Sequence, residues 1–339
     1  MISAGYILQR DAQNVNQGGE TREQRSNTVD LRSLLSFARV KPLAGWSLSA
    51  TALGASMALF QAGGEEVDAV SMAVAALSVV LMQYVAHPMN DIMDLELDRQ
   101  AAIGSTGRVK PIVEGAVTVG EARWLTVALF VPIIMLLSWL IFFHPAMALP
   151  VGYGMVALIG YNHPSFRLAY HPFTEVYLSL PANALSVMVI AYVGSDMLTP
   201  AVILMSIVFG ISSSAFFVSM MSMDAEADRA HGKMTTVATF PRLRWCTWYP
   251  AIGLAILVVG SPLLVDDLGV GTAVLMVGIS ALALISLAAI GHMVDARRLL
   301  HAASKGEGTE AFTGRCRLRQ LYISIIFSIA LSALFIMAR

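Results

Sequence analysis

The sequence predicts an all-α, polytopic membrane protein. Three observations carry that reading: the composition, the recurrence of long apolar runs, and a one-sided distribution of basic charge. Of 339 residues, 56% are hydrophobic and 13% charged, with a mean hydropathy of +0.67; soluble domains carry roughly 25% charged residues. An ordinary soluble globule is excluded on that ground. The net charge is -1, from 22 Lys+Arg against 23 Asp+Glu. No bulk basic field therefore points to nucleic acid, and none is expected as a partner. Cys246 and Cys316 are too few for a disulfide framework or a Cys-based zinc site, and both are expected to be inert, reduced thiols.

Residues 1 to about 40 are polar, rich in Gln, Asn, Arg and Glu, with no apolar stretch long enough for a signal-peptide core. They read as a disordered or surface-lying arm ahead of a membrane domain over 41–339. Apolar runs then recur near 43–62, 69–89, 123–143, 145–161, 175–194, 200–221, 246–264, 269–294 and 320–338. Each is close to the ~20 residues that cross a bilayer as a helix, so nine transmembrane helices are expected. The third and fourth runs almost touch at His144-Pro145, where a tight hairpin is predicted.

Basic residues concentrate in cytoplasmic loops, which tests the parity of that count. With the N-terminus inside, the segments 1–42, 89–123, 162–174, 222–245 and 295–319 face the cytoplasm. They hold 21 of the 22 basic residues, and only Arg339 falls outside them. The opposite loops carry Glu65, Glu66, Asp68, Asp196, Asp266 and Asp267 with no base. A miscounted helix would scramble this pattern.

Two long cytoplasmic loops carry acids where a helix leaves the membrane. The first reads Asn90-Asp91-Ile92-Met93-Asp94-Leu95-Glu96-Leu97-Asp98-Arg99. At about 100° per residue, Asp91, Asp94 and Asp98 share one helix face and Glu96 opposes them. The second reads Asp224-Ala225-Glu226-Ala227-Asp228-Arg229, where Asp224 and Asp228 share a face and Glu226 points away. Stacked carboxylates repel by a few tenths of a kcal/mol per exposed pair, and more in low dielectric. A cation between them is expected. Mg²⁺ takes oxygen ligands and shares its shell with one or two carboxylates and substrate phosphates, so two facing clusters could hold a magnesium-bridged diphosphate. Arg99, Arg108 and Lys110 follow the first cluster, Arg229 and Lys233 the second; Arg offers phosphate a bidentate fork and Lys a point charge. Other motif readings fail. The Gly232-Lys233-Met234-Thr235 stretch lacks the earlier Gly of a P-loop, and no His-Glu-x-x-His occurs among seven scattered histidines.

These segments resemble the signatures of the UbiA superfamily of intramembrane prenyltransferases. Asn90, Asp91, Asp94 and Asp98 match Asn-Asp-x-x-Asp-x-x-x-Asp. Asp224, Asp228, Gly232, Lys233 and Thr235 match Asp-x-x-x-Asp followed by Gly-Lys-x-Thr. Arg108-Val109-Lys110-Pro111-Ile112-Val113-Glu114-Gly115 looks like the family's Arg-Pro-Leu-x-x-Gly segment, with Lys110 standing where Arg precedes the proline. The resemblance covers roughly residues 35 to 339. It implies nine helices bundled around a central cavity open to the cytoplasmic side and laterally to lipid. It implies Mg²⁺-dependent transfer of a prenyl group from an isoprenyl diphosphate to an acceptor that is most often aromatic, such as a quinone precursor, with membrane lipid around the bundle. Asp91, Asp94, Asp224 and Asp228 are the implied metal ligands, with Asp98 beside them.

The loop Tyr161-Asn162-His163-Pro164-Ser165-Phe166-Arg167-Leu168-Ala169-Tyr170-His171 resembles the family's third cytoplasmic segment. Tyr161 could shield an allylic cation or simply sit at the membrane interface, and Asn162 could touch substrate. Arg167, the lone base of its loop, suits an anionic acceptor group or a lipid headgroup. Glu175 is either a substrate contact or part of a structural pair. A terpene cyclase would carry the same acid clusters. A transporter is disfavoured, because transporters place ion sites near the bilayer midplane and these acids lie at helix ends.

Overall fold

In a computed structural model, Phe37 and residues 43–100, 110–304 and 309–338 are described. Nearly all of the predicted arm, and Arg108, lie outside those residues. Phe37 itself is fully buried against Ile112, Val117 and Ala122, so the end of the arm packs on the segment that carries Lys110 and Pro111.

Among the described residues the chain is helical throughout, without strands. A π-turn at Ala44–Leu48 leads into α1 (Ser49–Gln61). Then come α2 (Ala69–Met93), the short α3 (Leu95–Gln100), α4 (Val119–Phe143) and α5 (Ala148–Asn162). A second π-turn, Glu175–Ser179, opens α6 (Leu180–Ser195), followed by α7 (Pro200–Ala230), the single turn α8 (Thr236–Thr239), α9 (Trp245–Ser304) and α10 (Thr309–Met337). Every apolar run read from the sequence falls on a helix.

By length and apolarity six helical segments can each cross a membrane: Ala69–Met93, Val119–Phe143, Glu175–Ser195, Pro200–Ala230, Trp245–Leu300 and Phe312–Met337. The fifth of these joins two predicted runs. A straight helix of 60 residues would extend ~90 Å, three times the hydrocarbon thickness of a bilayer. Gly269 breaks it, with φ 72 and ψ 161, a conformation that costs a residue without Cβ little. Its two halves fold back on each other: Thr247 N donates to Asp295 Oδ2 at 3.1 Å, and Gly253 lies against Leu284.

Local chemistry explains the helix ends. Thr118 and Glu121 form a reciprocal capping box, which starts α4 four residues before its predicted apolar run. Asp68 caps α2 by accepting from Ser71 N at 2.9 Å, and Thr199 caps α7 ahead of Pro200. At His144 the chain makes the predicted tight hairpin through the 3₁₀ turn Pro145–Met147. The His144 ring reaches Ser71 Oγ at 2.9 Å and Asp196 at 3.5 Å, tying three loops together at the end of the bundle remote from the acid clusters.

α7 is the central helix, with 83% of its most apolar stretch buried, and it packs on α6, α9 and α10. Small residues bring backbones close, as is usual between membrane helices; a Cβ on Gly210 would stand 2.6 Å from the Leu180 carbonyl. The outer face of α4 instead exposes Trp124, Val127, Val131, Met135 and Phe142. A contiguous apolar face of this kind suits lipid rather than water.

α2 and α7 both outlast the hydrophobic runs from which they were predicted. The first continues to Met93 and the second to Ala230. Asp91 sits on the first of these polar extensions, and Asp224 and Asp228 on the second.

Candidate active site

The first cluster spans a one-residue interruption between two helices. α2 stops at Met93, Asp94 is its C-cap with φ -91 and ψ 8, and α3 restarts at Leu95. Backbone bonds at 2.8 Å, from Asp94 N to the Asn90 carbonyl and from Asp98 N to the Asp94 carbonyl, carry the helical path through Asp94 between Asp91 and Asp98. Those two converge on one cation: Lys110 Nζ stands 3.3 Å from Asp91 and 2.5 Å from Asp98. Asp94 instead receives Lys233 Nζ at 2.7 Å, the Tyr170 hydroxyl at 2.8 Å and Asn90 Nδ2 at 3.2 Å. Glu96 is exposed and faces Arg99 at 3.6 Å.

The second cluster meets the first through this lysine. After α7 the chain turns at Gly232, whose φ of 74 favours glycine, and Lys233 N donates back to the Asp228 carbonyl at 2.7 Å. Met234 N donates to the Tyr170 carbonyl at 3.1 Å, and Thr235 Oγ1 approaches Asp228 at 3.5 Å. The Gly-Lys-x-Thr stretch is therefore a loop that folds back over the end of α7 and delivers Lys233 to Asp94.

Burial raises the pKa of Asp94, but Lys233 and Lys110 outweigh it and hold the carboxyl below its usual range. Asp98 goes the other way, because burial there prevails over Lys110. Burial also opposes the charge on Lys233; Asp94, then Tyr161 and Asp228, reverse that and push its pKa up. Lys233 is thus a fixed positive charge at any physiological pH. Among the described residues no three acidic, His or Cys side chains close tightly enough to enclose a metal ion by themselves. Lysines stand between the acids.

Both clusters open onto one cavity of about 400 Å³. Asn90, Asp94, Asp98, Asp224 and Asp228, with Lys110 and Lys233, line its polar end. Tyr161 and Phe217, rings 6.5 Å apart, lie between these and an apolar interior formed by residues such as Val79, Met82, Leu137, Leu140 and Leu158. Asn162 also lines the cavity, with Nδ2 donating to the Leu158 carbonyl at 2.9 Å.

Other predicted site residues lie elsewhere. Asp91 is buried and meets the cavity through Lys110 rather than lining it. Arg229 turns from the cavity, and its Nε donates to the Ala238 carbonyl at 2.9 Å, clamping the loop that carries Lys233. Arg167 is exposed, with a left-handed backbone and its guanidinium 4.2 Å over the Tyr170 ring. Arg99 is exposed beside Glu96. Arginines after an acidic helix end have solvent within reach, and Arg99, Arg167 and Arg229 take partners away from the cavity wall. Lys110 and Lys233 are the predicted bases that line it.

Glu175 resolves to its structural alternative. It is fully buried, does not line the cavity, and accepts from Tyr249 OH at 2.7 Å and Thr236 Oγ1 at 2.8 Å. Thr236 Oγ1 also accepts from Phe173 N at 2.6 Å, so this carboxylate ties α6 to α9 and to the Lys233 loop. Tyr170 and Thr236 escaped sequence reading because their partners are 76 and 61 residues away. Only an interface tyrosine and a threonine following the Gly-Lys-x-Thr stretch marked them.

The UbiA prenyltransferase family matches residues 48–335. This chain belongs to that family. Solved UbiA homologues share its fold. The one from Aeropyrum pernix K1 is 19% identical with a TM-score of 0.54, covering 86% of this chain and 97% of its own. The one from Archaeoglobus fulgidus bound to GPP and Mg²⁺ is 15% identical with a TM-score of 0.51, covering 89% and 99%. A digeranylgeranylglyceryl phosphate synthase is 13% identical with a TM-score of 0.53, covering 91% and 99%. No curated protein matches the chain by sequence.

The Glu175 tie has a measurable consequence. Glu175→Ala leaves the hydroxyls of Tyr249 and Thr236 buried without their acceptor, at about 1–3 kcal/mol each, and should lower the melting temperature in detergent by several degrees. Glu175→Gln, which keeps one acceptor oxygen, should fall between. Equal melting of Glu175→Ala and wild type would show that the tie carries no load.

Proposed function

We propose that this UbiA-family protein is a Mg²⁺-dependent prenyltransferase. In this reading it moves a prenyl group from an isoprenyl diphosphate to an aromatic, quinone-precursor-like acceptor within the membrane and releases diphosphate. The observation that carries the reading is the division of one cavity into an end of acids and lysines and an apolar interior. An isoprenyl diphosphate has the same division, anionic at one end and hydrocarbon at the other.

The residues fit magnesium. Both loops offer carboxylate oxygens, and a hard cation that keeps several waters and shares its shell with substrate phosphates needs only one or two from each side. That sharing agrees with acids too far apart to close a cage unaided. Asp94, Asp98, Asp224 and Asp228 would hold the ion, with Asp91 behind them. When bound, it would neutralise phosphate charge and promote ionisation of the C–O bond. The solved A. fulgidus homologue with GPP and Mg²⁺ supports this.

Lys110 and Lys233 supply point charges to the phosphate oxygens as negative charge develops on the leaving group. Asn90 and Tyr170 hold Asp94 in place through its two oxygens. The ring of Tyr161 faces the region where an allylic cation would form, and cation–π attraction is worth ~2 kcal/mol once water is excluded. The apolar walls keep water from capturing that cation before the acceptor does. Arg99, Arg167 and Arg229 have no part in this chemistry; Arg108 stays a candidate phosphate contact by its motif alone.

The same reading gives nine crossings, a cytoplasmic N-terminus and an active site toward the cytoplasm. Helicity over every predicted run, the break at Gly269 and the one-sided basic residues support it. The acids lie at helix ends, Asp94 as a cap and Asp228 two residues before the end of α7, which disfavours a midplane ion site of the transporter kind.

Two measurements test the proposal. In purified protein supplied with geranyl diphosphate, Mg²⁺ and a panel of phenolic acceptors, Asp94→Asn and Asp228→Asn should lower pyrophosphate release by about a hundredfold or more, the scale of losing a preorganised charge contact. Glu96→Gln and Glu226→Gln, both exposed, should stay near wild type. Full activity of Asp94→Asn would remove the site assignment, and a cyclised product formed without acceptor would favour a terpene cyclase. For topology, a cysteine at Glu66 should react with an impermeant maleimide on intact cells, while one at Arg242 should react only after lysis. The reverse pattern would overturn the orientation.

A further inference from the structure

The wall of the cavity away from the acid clusters carries polar groups that the chemistry above does not use. On the approach to α1, Trp46 lines the cavity, and its indole Nε1 has no hydrogen-bond partner among the described residues. On α2, Gln83 lines the same wall. Its Oε1 accepts from Ser47 N at 2.9 Å, which fixes the amide and leaves Nε2 unpartnered. On α5, Asn162 is buried to 4% exposure. Its Nδ2 is committed to the Leu158 carbonyl, so Oδ1 is the unpartnered end.

The wall therefore offers two neutral N–H donors and one acceptor. The ring of Phe217 bridges them, lying 6.1 Å from Trp46 and 6.5 Å from Tyr161, the neighbour of Asn162. Unpartnered buried polar atoms are costly. A prenyl tail is hydrocarbon and cannot satisfy them, and the diphosphate belongs with the acids and lysines. A second, polar ligand would match them.

The charge inventory limits what that ligand can be. The basic residues lining the cavity are Lys110 and Lys233, both facing carboxylates, and His87. Arg167, the base expected to receive an anionic acceptor, stands outside on Tyr170. A carboxylate placed against Trp46 and Gln83 would meet neutral N–H donors there rather than a lysine or arginine, which is less favourable than a neutral oxygen accepting the same two N–H bonds.

We propose that Trp46, Gln83 and Asn162 form the acceptor subsite and that it selects a neutral hydroxylated ring bearing a carbonyl-type oxygen: the oxygen accepts from Trp46 and Gln83, and the hydroxyl donates to Asn162. The proposal rests on the prenyl-transfer reading and narrows its acceptor from aromatic compounds in general to uncharged ones.

The test uses the purified full-length protein with Mg²⁺ and a shape-matched pair of probes, para-hydroxyacetophenone and para-hydroxybenzoate, with geranyl diphosphate binding followed in parallel. Wild type should bind the ketone at least about tenfold more tightly than the carboxylate, the scale of one hydrogen-bonded contact. Trp46→Phe, which removes the N–H and keeps a ring, and Gln83→Leu should each weaken ketone binding by about tenfold. Both should leave geranyl diphosphate binding within twofold of wild type. A wild type that does not bind the ketone, or binds the carboxylate as well or better, overturns the proposal. So do variants that bind the ketone normally, or that lose both ligands together. Ketone binding that follows the expected pattern with no binding of geranyl diphosphate would leave the subsite standing and remove the donor reading instead.

Discussion

Buried like charge is the constraint on which the rest of this structure depends. Five aspartates from two distant segments are gathered at one end of a helical bundle, and two lysines offset part of their mutual repulsion. Lys110 spans Asp91 and Asp98; Lys233 crosses from the second loop to Asp94. Each lysine needs a loop to deliver it, and each loop needs its own anchor. Phe37, Ile112 and Val117 pack beneath the first. Arg229, Thr236 and Glu175 fasten the second. Several residues that seem remote from chemistry are accounted for by this one electrostatic requirement.

The helical frame serves the same end. α7 runs through the middle of the bundle and carries Asp224 and Asp228 on its last turns. α2 lies across the cavity and ends at Asp94. Close backbone approach at Gly210 keeps α6 and α7 in contact, so the acids of the two helix ends are held at a separation that leaves space for a ligand. In the proposed reaction that space is filled by the diphosphate and its cation, and the lysines turn from compensating acids to compensating phosphate.

Much of this was legible in the sequence because it depends on local pattern. Hydropathy located the long helices, and helix periodicity separated Glu96 and Glu226 from their neighbouring aspartates. Long-range partners were not legible. That Tyr170 would donate to Asp94, that Glu175 would be enclosed by Tyr249 and Thr236, or that Trp46 and Gln83 would share a wall depends on tertiary packing. Hydropathy also stops where side chains turn polar, whereas a helix continues until its hydrogen bonds do, so the ends of α2 and α7 lay beyond the predicted runs. Motif proximity places a base near an acid, but a long side chain reaches other partners as well, and Arg99 meets Glu96 while Arg229 meets the Ala238 carbonyl. Lys110 and Lys233 instead face carboxylates at the cavity wall.

The central claim is that the two acid clusters, bridged by lysines, take up a divalent cation together with a diphosphate. Electron paramagnetic resonance of Mn²⁺ in place of Mg²⁺ tests it most directly, using a non-hydrolysable geranyl thiodiphosphate. The account predicts that protein-bound Mn²⁺ rises sharply when the thiodiphosphate is added, and that this rise disappears in both Asp94→Asn and Asp228→Asn. Mn²⁺ uptake that ignores the thiodiphosphate, or that survives both substitutions unchanged, would contradict it.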